Sequence, residues 1–509
     1  MFKHKTIISA AVFFLLFVLA ISSSAAEAEY TDSSFTVSGF DSPESVYDGD
    51  RETYSAVSGE GSVTVTRQDG IYGIYVVHDT LPQEWYITDP SSGETVTCAV
   101  NGFLHEYIDI EASFGKAPEK LVLEFPDSAS VCDIYAFSDG ELPDFVQVWE
   151  KPLERADLML VSSHSDDEQL FFAGILPYYA GERGLDVQVL YMVQHYELYG
   201  EINHQRPHEQ LDGLWAVGIR NYPVISDFPD LYAENKDPET ALAEAESVFG
   251  QAGVTFDDFV TYLTDNIRKF KPLVVVSHDF NGEYGHGTHV MCANALSKAI
   301  MLAADSSYDT ESAIKYGGAW CVEKLYIHLY GENKITLDLD TPLEAFDGKT
   351  AFEMTQYGFS FHKSQHWTWF NEWLNGTAEN PITKASQIKD YSPCEYGLYF
   401  SNVGLDTVGG DFFENVKTYA ERESASKNDS VLDSIEAPAT LRVETSAEPV
   451  VEEESASETE AGEVADNSTL IAIIVMVSVA VCIALAVFIS YSSINASRRR
   501  NRRRNMRRR

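Results

Sequence analysis

The sequence predicts an α/β domain on a parallel sheet, preceded by an all-β sandwich and followed by one membrane-spanning helix. Three observations predict this. Positions 30–150 hold short runs of β-branched and aromatic residues, punctuated by Gly, Pro, Asp and Ser. Positions 154–375 alternate apolar strands with helix-like stretches. Positions 470–489 carry no charge and precede an Arg-rich end. The 509 residues suit several domains, and 44% hydrophobic against 23% charged residues leaves most of the chain able to form cores.

In chain order, residues 1–28 read as a secretory signal peptide. Lys3 and Lys5 precede an apolar run, and Ala26-Glu27-Ala28 fits an A-x-A cleavage site. Residues 29–150 form the β-sandwich, with strands expected at 62–66, 71–77 and 121–125. Residues 154–423 form the α/β domain. Strands are expected at 157–163, 187–193 and 273–277, and a helix at 256–270. Continuous apolar strands of this kind are buried on both faces of a parallel sheet. Ligands then bind at the strands' carboxyl ends.

Residues 424–468 are rich in Ser, Ala and Glu, with almost no aromatics, and read as an acidic extended linker. The twenty residues 470–489 reach about 30 Å as a helix, one bilayer core. Residues 490–509 form an Arg-rich tail, which places that end in the cytoplasm and the catalytic part outside. No LPxTG motif precedes the span.

The formal charge is −43. Two Lys lie in the first five residues and nine Arg in the last twelve, so the segment between carries about −54. Such a surface repels phosphate backbones, which excludes nucleic acid as a partner. Of six Cys, Cys98 and Cys132 fall in one module and could pair, or stay reduced and buried. There is no C-x-x-C to suggest a Cys-rich metal site.

Two motifs carry the chemistry. His164-Ser165-Asp166-Asp167-Glu168 follows the strand ending at Ser163, and His286-Gly287-Thr288-His289 follows the strand and loop ending at Gly285. An imidazole and a carboxylate three residues apart converge on one ion, and the second motif adds another imidazole. Two His, one carboxylate and a water make a catalytic Zn2+ site, although the same set suits non-haem Fe2+. A neighbouring spare carboxylate, Asp166, can take the water's proton.

The two motifs resemble those of the PIG-L/LmbE family of zinc-dependent N-acetylglucosaminyl deacetylases, over about 154–375. The resemblance implies a Rossmann-like α/β fold and removal of acetyl groups from N-acetylated amino sugars. It also implies that His164, Asp167 and His289 bind zinc and that Asp166 is the general base. His286 would stabilise the oxyanion or protonate the leaving amine. Arg206-Pro207-His208-Glu209 resembles the family's RxxE element, which implies a substrate-binding Arg206. The plain alternative is an i, i+3 pair of Arg206 with Glu209. Tyr284 matches a position near the scissile amide. His362-Lys363-Ser364-Gln365 also recurs in relatives.

Two departures stand out: Ser165 replaces the usual Pro, and Thr288 replaces the usual Asp. His195, His204, His208 and His278 read as packed or solvated. Trp367, Trp369 and Trp373 read as core or docking residues before sugar-stacking ones. At Tyr47-Asp48-Gly49-Asp50-Arg51-Glu52-Thr53 the first module resembles discoidin-like (galactose-binding-like) domains, which implies a jelly roll that often binds carbohydrate.

The resulting expectation is a surface-anchored, zinc-dependent hydrolase that deacetylates an N-acetylated glycan or glycoconjugate. The alternatives are a metal-dependent amidase on a non-sugar amide, or a carbohydrate-binding or adhesion protein with a weak or inactive deacetylase domain.

Overall fold

The computed structural model describes residues 26–100, 102–198 and 201–426, all within one compact unit. The apolar run of the signal peptide, the linker beyond 426, the span 470–489 and the Arg-rich tail lie outside the described residues. Among the described residues no helix is long and apolar enough to cross a membrane.

The first module has eight strands: β1 (Ser34–Phe40), β2 (Ser55–Thr66), β3 (Gly73–His78), β4 (Trp85–Thr88), β5 (Thr95–Cys98), β6 (His105–Asp109), β7 (Lys120–Phe125) and β8 (Ser130–Phe137). One short helix, α1 (Ile110–Phe114), interrupts them. The predicted strands fall in β2, β3 and β7. β2 belongs to two layers. Its first residues pair with β8, which leads through β3 to β6, while its second half pairs with β1 and with β7, which leads through β4 to β5. In β7 Leu121, Leu123 and Phe125 point inward while their neighbours are less buried, the period of a half-buried strand. They meet Ile74, Val76 and Ile134 from the other layer in one core.

The second module is a seven-stranded sheet. Its strands are β9 (Leu158–Ser162), β10 (Val187–Tyr191), β13 (Val224–Ile225), β14 (Val274–Ser277), β15 (Lys324–His328), β16 (Lys334–Thr336) and β17 (Glu395–Ser401). A small ribbon, β11 (Glu197–Leu198) and β12 (Glu201–Ile202), lies apart. The order is β13-β10-β9-β14-β15-β17-β16. The first five are parallel; β17 runs antiparallel to β15, and β16 pairs antiparallel with β17 and so points the same way as the first five. The sheet is therefore mixed rather than wholly parallel, because β17 returns antiparallel between β15 and the edge strand β16.

Among the described residues, seven α-helices with both ends described accompany it: α2 (Arg206–Ala216), α3 (Ala241–Gln251), α4 (Phe256–Phe270), α5 (Gly287–Ala303), α6 (Thr310–Lys315), α7 (Ala351–Phe359) and α8 (Trp369–Asn375). The continuous apolar strands are explained by helices on both faces. Leu158, Leu160, Val274 and Val276 pack into the core that holds Leu211, Leu214 and Phe359. Their alternates Met159, Val161 and Val275 pack with Phe259, Leu263, Ile267 and Leu296. Helix α4 spans the predicted residues because Thr255 and Asp258 form a capping box at its start.

Strand order turns back at β9. The chain builds outward to β10 and β13, then crosses to β14 on the other side. That leaves a crevice outside the carboxyl ends of β9 and β14, where open α/β sheets place ligands. Both motifs lie there.

Cys98 and Cys132 do not pair. They are free, buried thiols on β5 and β8, which are not neighbours. Trp367 is 84% exposed and forms no part of a core, whereas Trp373 packs on Phe171.

Candidate metal centre

The loop after β9 is pinned by its own backbone. Ser163 N–H donates to His278 Nε2 at 2.9 Å, and His164 N–H to Asp167 Oδ2 at 2.7 Å. Asp166 N–H donates to Glu168 Oε2 at 2.9 Å. These bonds hold Asp166 at φ 151°, a conformation costly for any residue but Gly and most often seen where a side chain must be aimed. The second motif starts α5, with His286 at its N-cap and His289 one turn on. The chain enters this helix through Gly282 at φ +69°, where a Cβ would lie 2.6 Å from the His286 carbonyl.

Three ligating atoms converge. His164 Nδ1, Asp167 Oδ2 and His289 Nε2 lie 3.0, 3.1 and 3.3 Å from one another. For metal–ligand bonds of about 2.1 Å, the edge of a tetrahedron is about 3.4 Å, close to this triangle. Each imidazole turns its far nitrogen to a carboxylate. His164 Nε2 is 3.4 Å from Asp230 Oδ1, and His289 Nδ1 is 2.7 Å from Glu283 Oε2. The Glu283 bond leaves His289 Nε2 as a lone pair aimed at the centre, the tautomer a metal needs, while His164 Nε2 faces Asp230 without a hydrogen bond. The residues therefore fit a divalent ion. His286 forms an overlapping group with His164 and His289, and His278 another with Asp167 and His289. The Nε2 of His278, however, already accepts the Ser163 N–H.

Burial opposes the charged form of Asp167, yet His289 and His164 hold its carboxyl well below the usual range. Burial lifts Asp166 above that range, against the pull of Arg206. The adjacent carboxylates are thus driven apart: one stays an anion, the other sits nearer neutrality, as a proton acceptor should. Arg206 Nη2 is 3.2 Å from Asp166 Oδ1 and also reaches Asp230. It does not pair with Glu209, which accepts from Ser364 N–H at 2.8 Å and from Gln205 at 2.8 Å. This explains two sequence features together, since the 362–365 stretch braces α2 through Glu209.

His286 lies edge-on to His164, with ring centroids 4.6 Å apart, and its Nδ1 has no hydrogen-bond partner among the described residues. Burial and the neighbouring His164 hold it neutral, well below the ordinary histidine range. Tyr284, at φ 49°, packs 5.5 Å from His286 and 5.7 Å from His289 between ring centroids. All seven expected site residues thus come together.

Both departures have a structural reading. Ser165 N–H donates to His195 Nε2 at 3.2 Å, a bond that Pro cannot make. Thr288 Oγ1 reaches the Leu231 carbonyl at 3.5 Å and leaves the His286 ring without the partner an Asp would supply.

Sequence reasoning missed Asp230 and Glu283. Asp230 comes from the stretch after β13, where no motif marks it. It serves His164, His195 and Arg206 at once. Glu283 is fully buried and takes three imidazoles, His278 at 2.8 Å, His289 at 2.7 Å and His328 at 2.5 Å. Its three-residue spacing from His286 was the available signal. Glu168 and His362 form a further buried contact at 3.3 Å.

Residues 159–300 match the family model described as PIG-L: GlcNAc-PI de-N-acetylase, so the segment carrying the motifs is a PIG-L family domain. A 1D-myo-inositol 2-acetamido-2-deoxy-alpha-D-glucopyranoside deacetylase of Geodermatophilus obscurus is 27% identical over 183 residues, covering 33% of this chain and 60% of that protein. A protein of the same description from Catenulispora acidiphila is 25% identical over 290 residues, covering 53% and 86%. The solved N,N'-diacetylchitobiose deacetylase of Pyrococcus horikoshii aligns with a TM-score of 0.31 at 15% identity, over 48% of this chain and 84% of that one.

Proposed function

We propose that this protein is a metal-dependent hydrolase that removes the acetyl group from an N-acetylated amino sugar. The observation that carries this is the triangle of His164 Nδ1, Asp167 Oδ2 and His289 Nε2, with the Asp166 carboxylate beside it. The PIG-L match and the deacetylase names of the two bacterial relatives support an acetamido-sugar as substrate. The parallel-strand order, 3-2-1-4-5 by sequence, supports a Rossmann-like reading of the domain.

A divalent ion, zinc by preference for this donor set, would be held by His164, Asp167 and His289, and would supply Lewis acidity and a water of lowered pKa. The chain's own groups do the rest. Asp166 accepts the water's proton and is steadied by Arg206. His286, neutral and uncommitted at Nδ1, donates a hydrogen bond to the developing oxyanion once its tautomer places a proton there. Tyr284 and Trp369 wall the site, 5.6 Å apart between ring centroids, and restrict water around the acetamide. Arg206, at the mouth beside Asp230, also positions the sugar.

The test is acetate release by the full chain, loaded with Zn2+, from N-acetylglucosamine conjugates and oligomers. Asp166→Asn should lower kcat by about 100-fold or more while zinc stays bound at one per chain. Release unchanged in the variant would remove Asp166 from the chemistry. Release from non-sugar acetamides alone would redirect the substrate.

We propose further that the chain is exported and anchored by residues 470–489, with the catalytic part outside. This rests on composition: an uncharged twenty-residue run followed by the Arg-rich tail. Deleting 470–509 should release the protein from the membrane fraction; retention there would refute the anchor.

A further inference from the structure

The seam between the β module and α2 encloses a cavity of about 450 Å3. It adjoins the catalytic crevice: Gln205 lines it, and the next residue, Arg206, reaches Asp166. Its walls come from both modules. The β module contributes Arg51, Tyr54 and Asp79, and the α/β module His204, His208 and Glu209.

Most of these groups are already committed to one another. Arg51 forks onto both oxygens of Asp212. His204 Nδ1 is held by Asp79 at 2.5 Å, and its ring stacks on Tyr54 with centroids 4.7 Å apart and planes 12° apart. His208 is different. His105 Nδ1 faces the Gln147 Oε1 acceptor at 2.8 Å and must carry its proton there. His105 Nε2 is therefore an acceptor, and His208 Nδ1–H donates to it at 2.8 Å. The remaining nitrogen, His208 Nε2, is thus a lone pair, and it has no partner among the described residues. A buried acceptor left open costs about 1–3 kcal/mol unless a ligand or water supplies a donor.

We propose that this cavity is a second saccharide subsite, holding an uncharged sugar ring next to the one whose acetamide is cleaved. An uncharged polyol matches the wall. The half-exposed Tyr54–His204 stack offers a flat face to a pyranose, and a hydroxyl that shifts the groups covering the buried His208 Nε2 supplies the donor it lacks. Anions are disfavoured, because Glu52, Asp79, Glu209 and Asp212 line the wall against two cations, Lys363 and an Arg51 already paired with Asp212. Beyond the Arg51–Asp212 bridge a second cavity of about 650 Å3 continues along the same seam, sharing Arg51, Asp212 and Phe361 with the first. The groove therefore suits an oligosaccharide rather than a lone sugar. The β module is then part of the substrate site, not a spacer. This inference rests on the deacetylase reading only for the nature of the sugar.

The test compares N-acetylglucosamine monomer and tetramer with the full chain, Zn2+-loaded, as wild type, Tyr54→Ala and His208→Gln. Wild type should prefer the tetramer by at least about tenfold in kcat/KM. Tyr54→Ala, at a half-exposed position, should lower the tetramer-to-monomer ratio about tenfold, through KM rather than kcat. His208→Gln should do the same, with a thermal melt checking its fold. Tetramer binding by calorimetry runs in parallel and needs no turnover. Binding weakened about tenfold in Tyr54→Ala, without acetate release from any protein, would sink the deacetylase reading and keep the subsite. An unchanged ratio with unchanged binding in Tyr54→Ala would overturn the subsite, as would no tetramer binding by wild type.

Discussion

Glu283 shows how much one buried residue decides. It contacts neither substrate nor the metal position, yet it sets the tautomer of His289 and gathers His278 and His328 around the same carboxylate. Burial opposes its charge, but His278 and the other two rings hold its carboxyl well below the usual range. A carboxylate partner raises the basicity of a ligating imidazole and fixes its orientation. Glu283→Gln keeps the shape and removes the charge. It should weaken zinc affinity about 10- to 100-fold, measured by competition with a chromophoric chelator. Affinity within a factor of two of wild type would show that the tautomer is set elsewhere.

At the scale of elements, the helices are placed by their ends. Arg268, fully buried in α4, has no carboxylate at its guanidinium. It donates instead to the carbonyls of Leu302, Ala303, Asp305, Tyr308 and Asp309, where α5 runs out. The last carbonyls of a helix lack intrahelical donors and carry partial negative charge, so one buried cation satisfies several at once. Arg268→Met should cost about 1–3 kcal/mol of unfolding free energy in urea titration, because the Tyr308 carbonyl loses its donor while those of Leu302, Ala303, Asp305 and Asp309 each keep one backbone N–H. Activity of the folded fraction should change little, since α5 meets the site at its other end. A loss under 1 kcal/mol would mean that water replaces the guanidinium.

For the whole molecule, the seam between modules is a pH-sensitive joint. Burial, then Arg51, depresses His105 from 6.5 to about 3, and burial with its neighbour His105 lowers His208 as well. In the unfolded chain both titrate near 6.5. Between about pH 6.5 and 3 the unfolded chain therefore binds protons that the fold excludes. Stability is full above 6.5 and falls as the medium is acidified, by about 1.4 kcal/mol per pH unit for His105, with His208 acting in the same direction. Urea midpoints at pH 7, 5.5 and 4.5 should fall more steeply for wild type than for His105→Gln. Parallel curves would assign the acid sensitivity to other groups.

The candidate site was readable from the chain because both motifs are local. His164, Asp166 and Asp167 share one strand-end loop, and His286 and His289 share one helix turn. Strands 158–162 and 274–277 were equally legible, since burial on both faces writes a continuous apolar run. The exposure of Trp367 was not legible, because aromatic character alone does not reveal which side of a surface a ring occupies.

The sequence by itself determined the α/β alternation, the two motifs that supply the candidate metal ligands and the candidate base, and the strongly acidic character of the chain, all properties of neighbouring residues. Only the tertiary structure decided which carboxylates stand behind the ligands and that β17 returns antiparallel. It alone joined Tyr54 to His204 and His105 to His208. Those pairs lie 150 and 103 positions apart in the chain. No local period encodes them; they exist because two separately cored modules pack against each other.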